Sequence, residues 1–131
     1  MKRLAYLLLS CATLATATSC SKDNSVTPVP PKEYQVEYQV SSATALASDY
    51  VSYDNESGGT TTLNNVALPA AYSFKRTMKQ GDHVSILASL PSGSPATSEI
   101  TAIISLDGKV VKSQTSRGSS AQAVPVYVIG E

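Results

Sequence analysis

Polar and apolar side chains alternate strictly in the stretch EYQVEYQV, residues 33–40. Tyr34, Val36, Tyr38 and Val40 fall on one parity, whereas two glutamates and two glutamines fall on the other. Because successive side chains of a β-strand point to opposite faces of a sheet, the pattern predicts a strand with one buried and one solvated face. We interpret it as a core strand that opens the domain; a tyrosine ladder that binds glycan or lipid is the alternative.

Further short runs rich in Thr, Ser, Val, Tyr and Ile follow, separated by turn signals, and no amphipathic helix pattern is present after Lys32. We predict strands over 33–42, 47–54, 60–66, 70–78, 82–90, 98–106, 109–116 and 121–129. Asp107 and Gly108 can both adopt positive φ, which predicts a type I′ hairpin, and Asn55–Gly59 predicts a looser one. The spacing favours an all-β fold, an immunoglobulin-like β-sandwich of about seven or eight antiparallel strands.

The chain begins with two cations, Lys2 and Arg3, followed by an apolar run that is too short to span a bilayer. The run ends in Ala17-Thr-Ser-Cys20, which resembles the lipobox of bacterial lipoproteins of the Bacteroidetes type, so we expect export and lipidation of Cys20. Cys11 is a rival lipidation site, and cleavage to a soluble secreted protein is a further alternative. The expected location is the cell envelope, as an outer-membrane lipoprotein that is periplasmic or surface-exposed.

This interpretation divides the chain into a lipoprotein signal peptide (1–19), a lipidated cysteine with a flexible Pro-rich tether (20–32) and a β-sandwich domain (33–131). The exported part carries 10 − 2 = 8 cations against 10 acids, a net charge near −2. It therefore lacks the basic footprint of a nucleic-acid-binding protein. Because both cysteines precede residue 21, the domain can form no disulfide and depends on packing.

Candidate catalytic and metal-binding residues are few, and we expect neither enzyme activity nor a cofactor. His83 is the single histidine, and its parity places it on the solvated face of a strand beside Ser85. The acids near Asp54 and Glu56 supply oxygens that could hold calcium, but the run lacks the spacing of an EF-hand loop. A solvated hairpin tip is the simpler interpretation of this segment.

The segment from Lys75 to Lys79 places three cations, Lys75, Arg76 and Lys79, within five residues. We treat them as a candidate surface for a ligand, a lipid headgroup or a protein partner. The alternative is a solvated edge strand, which charged side chains protect from unwanted pairing.

Three segments of the domain resemble the MmpS family of actinobacterial membrane proteins. They are NNVALP (64–69), GDHVSILAS (81–89) and ITAIISLDGKVVKSQTSRG (100–118). The chain departs from that family at Ala70, where an aromatic residue is usual, at Ala102, where one of a cysteine pair is usual, and in having a lipoprotein signal instead of a transmembrane helix. The resemblance implies a β-sandwich and a role accessory to RND-type export of lipids or siderophores.

Together these features lead us to expect a lipid-anchored, non-enzymatic envelope protein that acts as a binding or accessory module, with an envelope protein such as a transporter as its partner. The alternative is a glycan or small-ligand binding module of an outer-membrane uptake system. An exposed apolar sheet face or edge would favour the first function. A concave aromatic site would favour the second.

Overall fold

The computed structural model describes residues 30–131, and this part of the chain folds into nine antiparallel β-strands. Their bounds are β1 Lys32–Ser41, β2 Ala47–Asp54, β3 Thr60–Ala67, β4 Ala70–Met78, β5 His83–Ser89, β6 Glu99–Leu106, β7 Lys109–Arg117, β8 Gln122–Ala123 and β9 Val126–Val128. The bounds agree with the predicted strands to within one or two residues, except in the last strand. The predictions for the signal peptide, for Cys20 and for most of the tether lie outside the described residues.

The strands form two sheets, and the prediction of an all-β sandwich is confirmed. The first sheet has the order β4-β1-β6-β7 and the second the order β3-β2-β5-β8, with β9 also paired to β5. This order is not the ABED and CFG arrangement of immunoglobulin constant domains, so the likeness to that fold is one of architecture. The strand β1 lies between two strands that are distant from it in sequence, because both β4 and β6 pair with it.

The predicted strand 121–129 is present but interrupted. Ala88 pairs with Ala123 and Ser85 with Val126, so β8 and β9 keep one register along β5. Pro125 stands between them and has no backbone N–H to donate to the ladder, although its carbonyl oxygen accepts from the Ile86 N–H at 3.3 Å. The edge of the second sheet is therefore broken at this proline.

The core lies between the two sheets and follows the alternation seen in the sequence. Val36, Tyr38 and Val40 of β1 are fully buried. They meet the inward rows of the neighbouring strands, which consist of Val84, Ile86, Ala88, Ile100, Ala102 and Ile104. Burial of each larger aliphatic side chain contributes about 1.5–3 kcal/mol, and residues 30–131 contain no cysteine that could add a crosslink.

The predicted type I′ turn between β6 and β7 is confirmed, with φ of 51° at Asp107 and 78° at Gly108. The Asp107 carboxylate also reaches β1, where it accepts from the Gln35 N–H at 2.9 Å and lies 2.7 Å from the Lys32 ammonium group. The hydrogen bond from Lys32, followed by that from Gln35, lowers the pKa of the Asp107 carboxyl below its ordinary value. The turn is thus tied to the beginning of β1.

The predicted hairpin between β2 and β3 is also present, and Asn55 organises its turn. The Asn55 side-chain oxygen accepts from the Ser57 and Gly59 N–H groups, both at 3.1 Å, and from the Ser57 hydroxyl at 2.7 Å. An Asx side chain that satisfies the turn in this way fixes the hairpin without a two-residue loop.

Four aromatic rings fill the side of the sandwich between β4 and β2. The Tyr53 ring stacks on Tyr72 at 4.6 Å, while Tyr38 lies 5.5 Å from Tyr53 and 5.8 Å from Phe74. The Tyr38 hydroxyl donates to the Asp54 carbonyl oxygen at 3.0 Å, and burial strongly raises the pKa of Tyr38. Tyr38 is therefore a core residue, as the first-strand interpretation predicted, and its ring cannot serve a glycan ladder.

Candidate functional site

The three cations between residues 75 and 79 do not form one surface. Lys75 and Arg76 are neighbours on β4, so their side chains leave on opposite faces of the sheet. The exposed Lys75 ammonium group lies 3.2 Å from a Glu33 carboxylate oxygen on the outer face of the first sheet. Arg76 belongs to the inward row of the same strand, opposite Tyr34 of β1.

Arg76 bridges the two sheets at one end of the sandwich. Its Nη1 donates to the His83 carbonyl oxygen of β5 at 3.4 Å. Its guanidinium group also lies over Gly58 in the β2–β3 turn, where a Cβ atom would stand 3.1 Å from Nη2. These contacts assign Arg76 a structural position that closes this end of the core.

Lys79 lies beyond the end of β4, in the turn that leads to β5. Its backbone N–H donates to an Asp82 carboxylate oxygen at 2.9 Å, and the residue lines a cavity. The prediction of a ligand or partner surface at Lys75, Arg76 and Lys79 stays a prediction, but the geometry divides it among three separate places.

The cavity beside Lys79 has a volume of about 260 Å³ and opens at the end of the sandwich where β1 begins. The residues that line it are Pro30, Tyr34, Met78, Lys79, Gln80, Ile129 and Gly130. This volume is slightly below the usual range of ligand pockets, about 300–1,000 Å³. Among residues 30–131, Tyr34 is the one aromatic side chain in its lining, so this part of the chain does not supply the aromatic platform expected of a glycan site.

His83 lies on the solvated face of β5, as its parity predicted, and it is close to Asp54 and Ser85. The Ser85 hydroxyl donates to an Asp54 carboxylate oxygen at 2.9 Å, and the His83 Nε2 lies 3.8 Å from the same oxygen. The serine is thus paired with the carboxylate and not with the imidazole. A nucleophilic serine needs a hydrogen bond to its base, which this arrangement does not provide.

Two of the side chains near the β2–β3 turn already use their oxygen atoms in hydrogen bonds of the fold. Asn55 holds the turn and Asp54 accepts from Ser85, which leaves Glu56 as an exposed side chain at the tip. Over residues 30–131, no group of three or more His, Cys, Asp or Glu side chains could hold a metal ion.

The outer faces of the two sheets differ in character. On the first sheet, β1 presents Glu33, Gln35, Glu37 and Gln39. The neighbouring strands add a hydrogen bond of 2.7 Å between the Thr101 and Thr115 hydroxyls and an ion pair of 2.9 Å between Glu99 and Arg117. The outer face of the first sheet is therefore mostly polar and charged, with Ile103 and the exposed Val110 among its apolar members.

The outer face of the second sheet carries an apolar row. Leu87, Val124, Val126 and Val128 alternate with inward residues on β5 and along the last strand, and we call these four residues the outer row. Val124 is 40% and Val126 is 42% exposed, and Leu87 and Val128 are half-buried. In the part of the chain that the structure describes, no member of the row belongs to the core cluster or packs on it.

Tyr50 of β2 extends the outer row on one side, since its hydroxyl accepts from the Gln122 side chain at 3.4 Å. No helix and no third sheet covers this face within residues 30–131. The sequence contained a signal for the row, because Val124, Val126 and Val128 share one parity. The predicted surface at the three cations followed their proximity along the chain and not this shared parity.

No family model matches the chain, and no curated protein is significantly similar to it in sequence. The resemblance to the MmpS family therefore stays a prediction that depends on the three quoted segments. Between residues 30 and 131 there is no helix long and apolar enough to cross a membrane.

Proposed function

We propose that this protein is a lipid-anchored, non-enzymatic module of the cell envelope that docks onto another envelope protein. The observation that carries the proposal is the outer row, a run of apolar side chains on one sheet face of a domain whose opposite face is mostly polar. Scattered apolar residues are normal on protein surfaces, but a contiguous stripe is typical of an interaction site. The lipobox-like sequence before Cys20 supports the anchor, and the MmpS resemblance makes an RND-type transporter the class of partner to examine first.

The docking surface can be tested by photocrosslinking in cells that express the full-length protein. A photoreactive amino acid at Val126 is expected to give a discrete adduct with an envelope protein, and Val124→Asp in the same chain is expected to reduce that adduct at least tenfold. The matched control is the same photoreactive residue at Val110, which is 56% exposed on β7 but lies outside the outer row. Equal adducts from both positions, or no adduct from Val126, would contradict the docking proposal.

The anchor requires a separate test. Labelling with a palmitate analogue is expected in the wild-type protein and to be lost in Cys20→Ala. Labelling that persists in Cys20→Ala and disappears in Cys11→Ala would move the anchor to Cys11. The absence of labelling in the wild-type protein would instead support a soluble secreted form.

A second candidate function, a glycan or small-ligand binding module of an outer-membrane uptake system, is favoured by the cavity beside Tyr34. Its small volume and single aromatic residue make it the weaker candidate. NMR titration distinguishes the two functions. A ligand in the cavity shifts the amide signals of Tyr34 and Gln80, whereas a protein bound to the outer row shifts those of Leu87 and Val126.

A further inference from the structure

Within residues 30–131 the two sheets have four edges, and these edges are protected to different degrees. The edge strand β4 carries Lys75 and Arg76, and the edge strand β7 carries Lys109, Lys112 and Arg117. The edge formed by β8 and β9 is broken at Pro125. Charges and prolines at these places are the features by which natural sheets avoid pairing with other chains.

The edge strand β3 lacks all of these features. Its sequence, TTTLNNVA, contains no charged residue and no proline over eight positions. If β4 or β7 paired with its own copy about a two-fold axis, cations of the two copies would be brought together. The same pairing of β3 would bring no charged side chains together. The edge of β3 is thus the one of the four that has neither charged residues nor a proline break to oppose pairing with a second copy of itself.

The surroundings of β3 leave it open. No residue of β3 is buried, and within residues 30–131 its one neighbour in the sheet is β2. Leu63 in its middle is 39% exposed. Leu46 is 89% exposed and lies beside the far end of the strand, where its carbonyl oxygen accepts from the Leu68 N–H at 2.8 Å. Two of the large exposed apolar side chains therefore flank the unprotected edge.

The phase of the β2–β3 ladder shows which backbone groups of β3 are free. The hairpin is closed by the hydrogen bond from the Asn55 N–H to the Gly59 carbonyl oxygen at 2.8 Å. Hydrogen-bonded and non-hydrogen-bonded pairs alternate along an antiparallel ladder, so Thr61 and Leu63 bond to β2. The backbone groups of Thr60, Thr62 and Asn64 consequently point away from β2 toward solvent. Asn65, with φ of 50°, ends this regular stretch.

We propose that two copies of this chain pair antiparallel along their β3 edges, about a two-fold axis at which Thr62 faces Thr62 of the second copy. In this register Thr60 faces Asn64 of the other copy, and the three outward residues of each strand form roughly six hydrogen bonds across the seam. Leu63 of each copy then lies opposite Thr61 of the other, which covers part of its exposed side chain. The two second sheets become one continuous sheet.

The pairing goes beyond the proposed docking function and does not depend on it. The two-fold axis is perpendicular to the joined sheet, so the outer rows of both copies face the same side and remain uncovered. An isologous contact of this kind is the commonest way in which identical chains associate. A seam of one short strand per copy is small, and anchoring on one membrane would raise its occupancy by holding the copies at high local concentration.

Cysteine crosslinking of the full-length protein in cells tests the pairing and its register. The Cα atoms of a hydrogen-bonded antiparallel pair are about 5.5 Å apart, which is within the range that a disulfide spans. Residues 30–131 contain no native cysteine. After mild oxidation, Thr62→Cys is expected to give a disulfide-linked dimer at least tenfold above wild type, while Ser113→Cys on the β7 edge is expected to give none.

The register is tested by a second set of variants. Thr60→Cys combined with Asn64→Cys is expected to crosslink, Thr60→Cys alone is not, and adding Thr62→Lys to the double variant is expected to reduce the crosslink at least tenfold. Equal dimer from Thr62→Cys and Ser113→Cys would overturn the proposal, because it indicates random collision. No dimer from Thr62→Cys and from the double variant would also overturn it, provided that both proteins unfold as cooperatively as wild type. Crosslinking of Thr62→Cys to a different protein would show that another partner occupies the edge.

Discussion

Replacing Tyr38 by phenylalanine removes one hydroxyl oxygen from a core side chain and leaves the packing of the ring in place. The lost group is the hydroxyl that donates to the Asp54 carbonyl oxygen at 3.0 Å. A hydrogen bond of this kind contributes about 1 kcal/mol net to folding. We therefore expect Tyr38→Phe to lower the free energy of unfolding by about 1 kcal/mol at pH 7. For a domain of this size, that corresponds to a decrease of about 4–8 °C in melting temperature.

The destabilising effect of the same substitution is expected to decrease at high pH. Burial raises the pKa of Tyr38 in the folded protein above that of the unfolded chain, which is about 10. The resulting contribution to stability is fully present below pH 10 and is lost as the pH rises toward the folded-state pKa. Between these two pKa values, Tyr38 lowers the free energy of unfolding of the wild-type protein by up to about 1.4 kcal/mol per pH unit. The phenylalanine variant has no such loss. The difference of about 1 kcal/mol in the free energy of unfolding between wild type and Tyr38→Phe at pH 7 therefore vanishes near pH 11.

Denaturant unfolding followed by circular dichroism between pH 7 and pH 11 measures both effects, which is convenient because the chain has no tryptophan. Burial also raises the pKa of Tyr72, and the Asp107 hydrogen bond raises that of Lys32, but both residues are common to the two proteins and cancel in the difference. Tyr50→Phe is the control, since it removes an exposed hydroxyl and is expected to cost less than about 0.5 kcal/mol. A stability difference that stays constant with pH, or a Tyr38→Phe cost equal to that of Tyr50→Phe, would refute the reasoning.

Two further predictions concern the β6–β7 turn. Asp107→Asn keeps a residue that tolerates positive φ but loses the charge that faces Lys32. The lowered pKa of Asp107 means that its contribution to stability is fully present above pH 4 and is lost as the pH falls through the folded-state pKa. This variant should therefore be less stable than wild type at pH 7, and the difference in thermal unfolding should shrink progressively as the pH falls below 4. Gly108→Ala places a side chain at φ of 78° with nothing within 4 Å of its Cβ, so the cost is conformational, about 1 kcal/mol by denaturant unfolding. Gly59→Ala, at a position without positive φ, should cost less; the opposite ranking would contradict the strain argument.

The local features of the fold could be predicted from the sequence because each depends on residues that are close along the chain. Alternation located the strands, and Asp107-Gly108 located the sharpest turn, since few other residues adopt positive φ at both positions. The pairing of β1 with both β4 and β6 could not be predicted in this way. Any inward-facing apolar strand suits the centre of a sheet, and nothing in the sequence of β1 indicates its partners.

The candidate site was predicted less well, for reasons that differ from one residue to the next. Lys75 and Arg76 were grouped because they are adjacent, although adjacency on a strand places side chains on opposite faces. The break at Pro125 could have been anticipated, because proline cannot donate to a ladder. The outer row required the sheet order as well as the parity, since only the pairing of β5 with β9 brings Leu87 and Val126 onto one face.

The central position of β1 determines when the first sheet can assemble during synthesis. Val36 pairs with Leu106, so a nascent chain must be extended by 70 residues before that contact can form. Until β6 has emerged, the apolar side of the first strand has only β4 as a neighbour in its sheet. Fragments that stop before Leu106 should consequently be prone to aggregation, and completion of the sandwich should coincide with the appearance of the last third of the polypeptide.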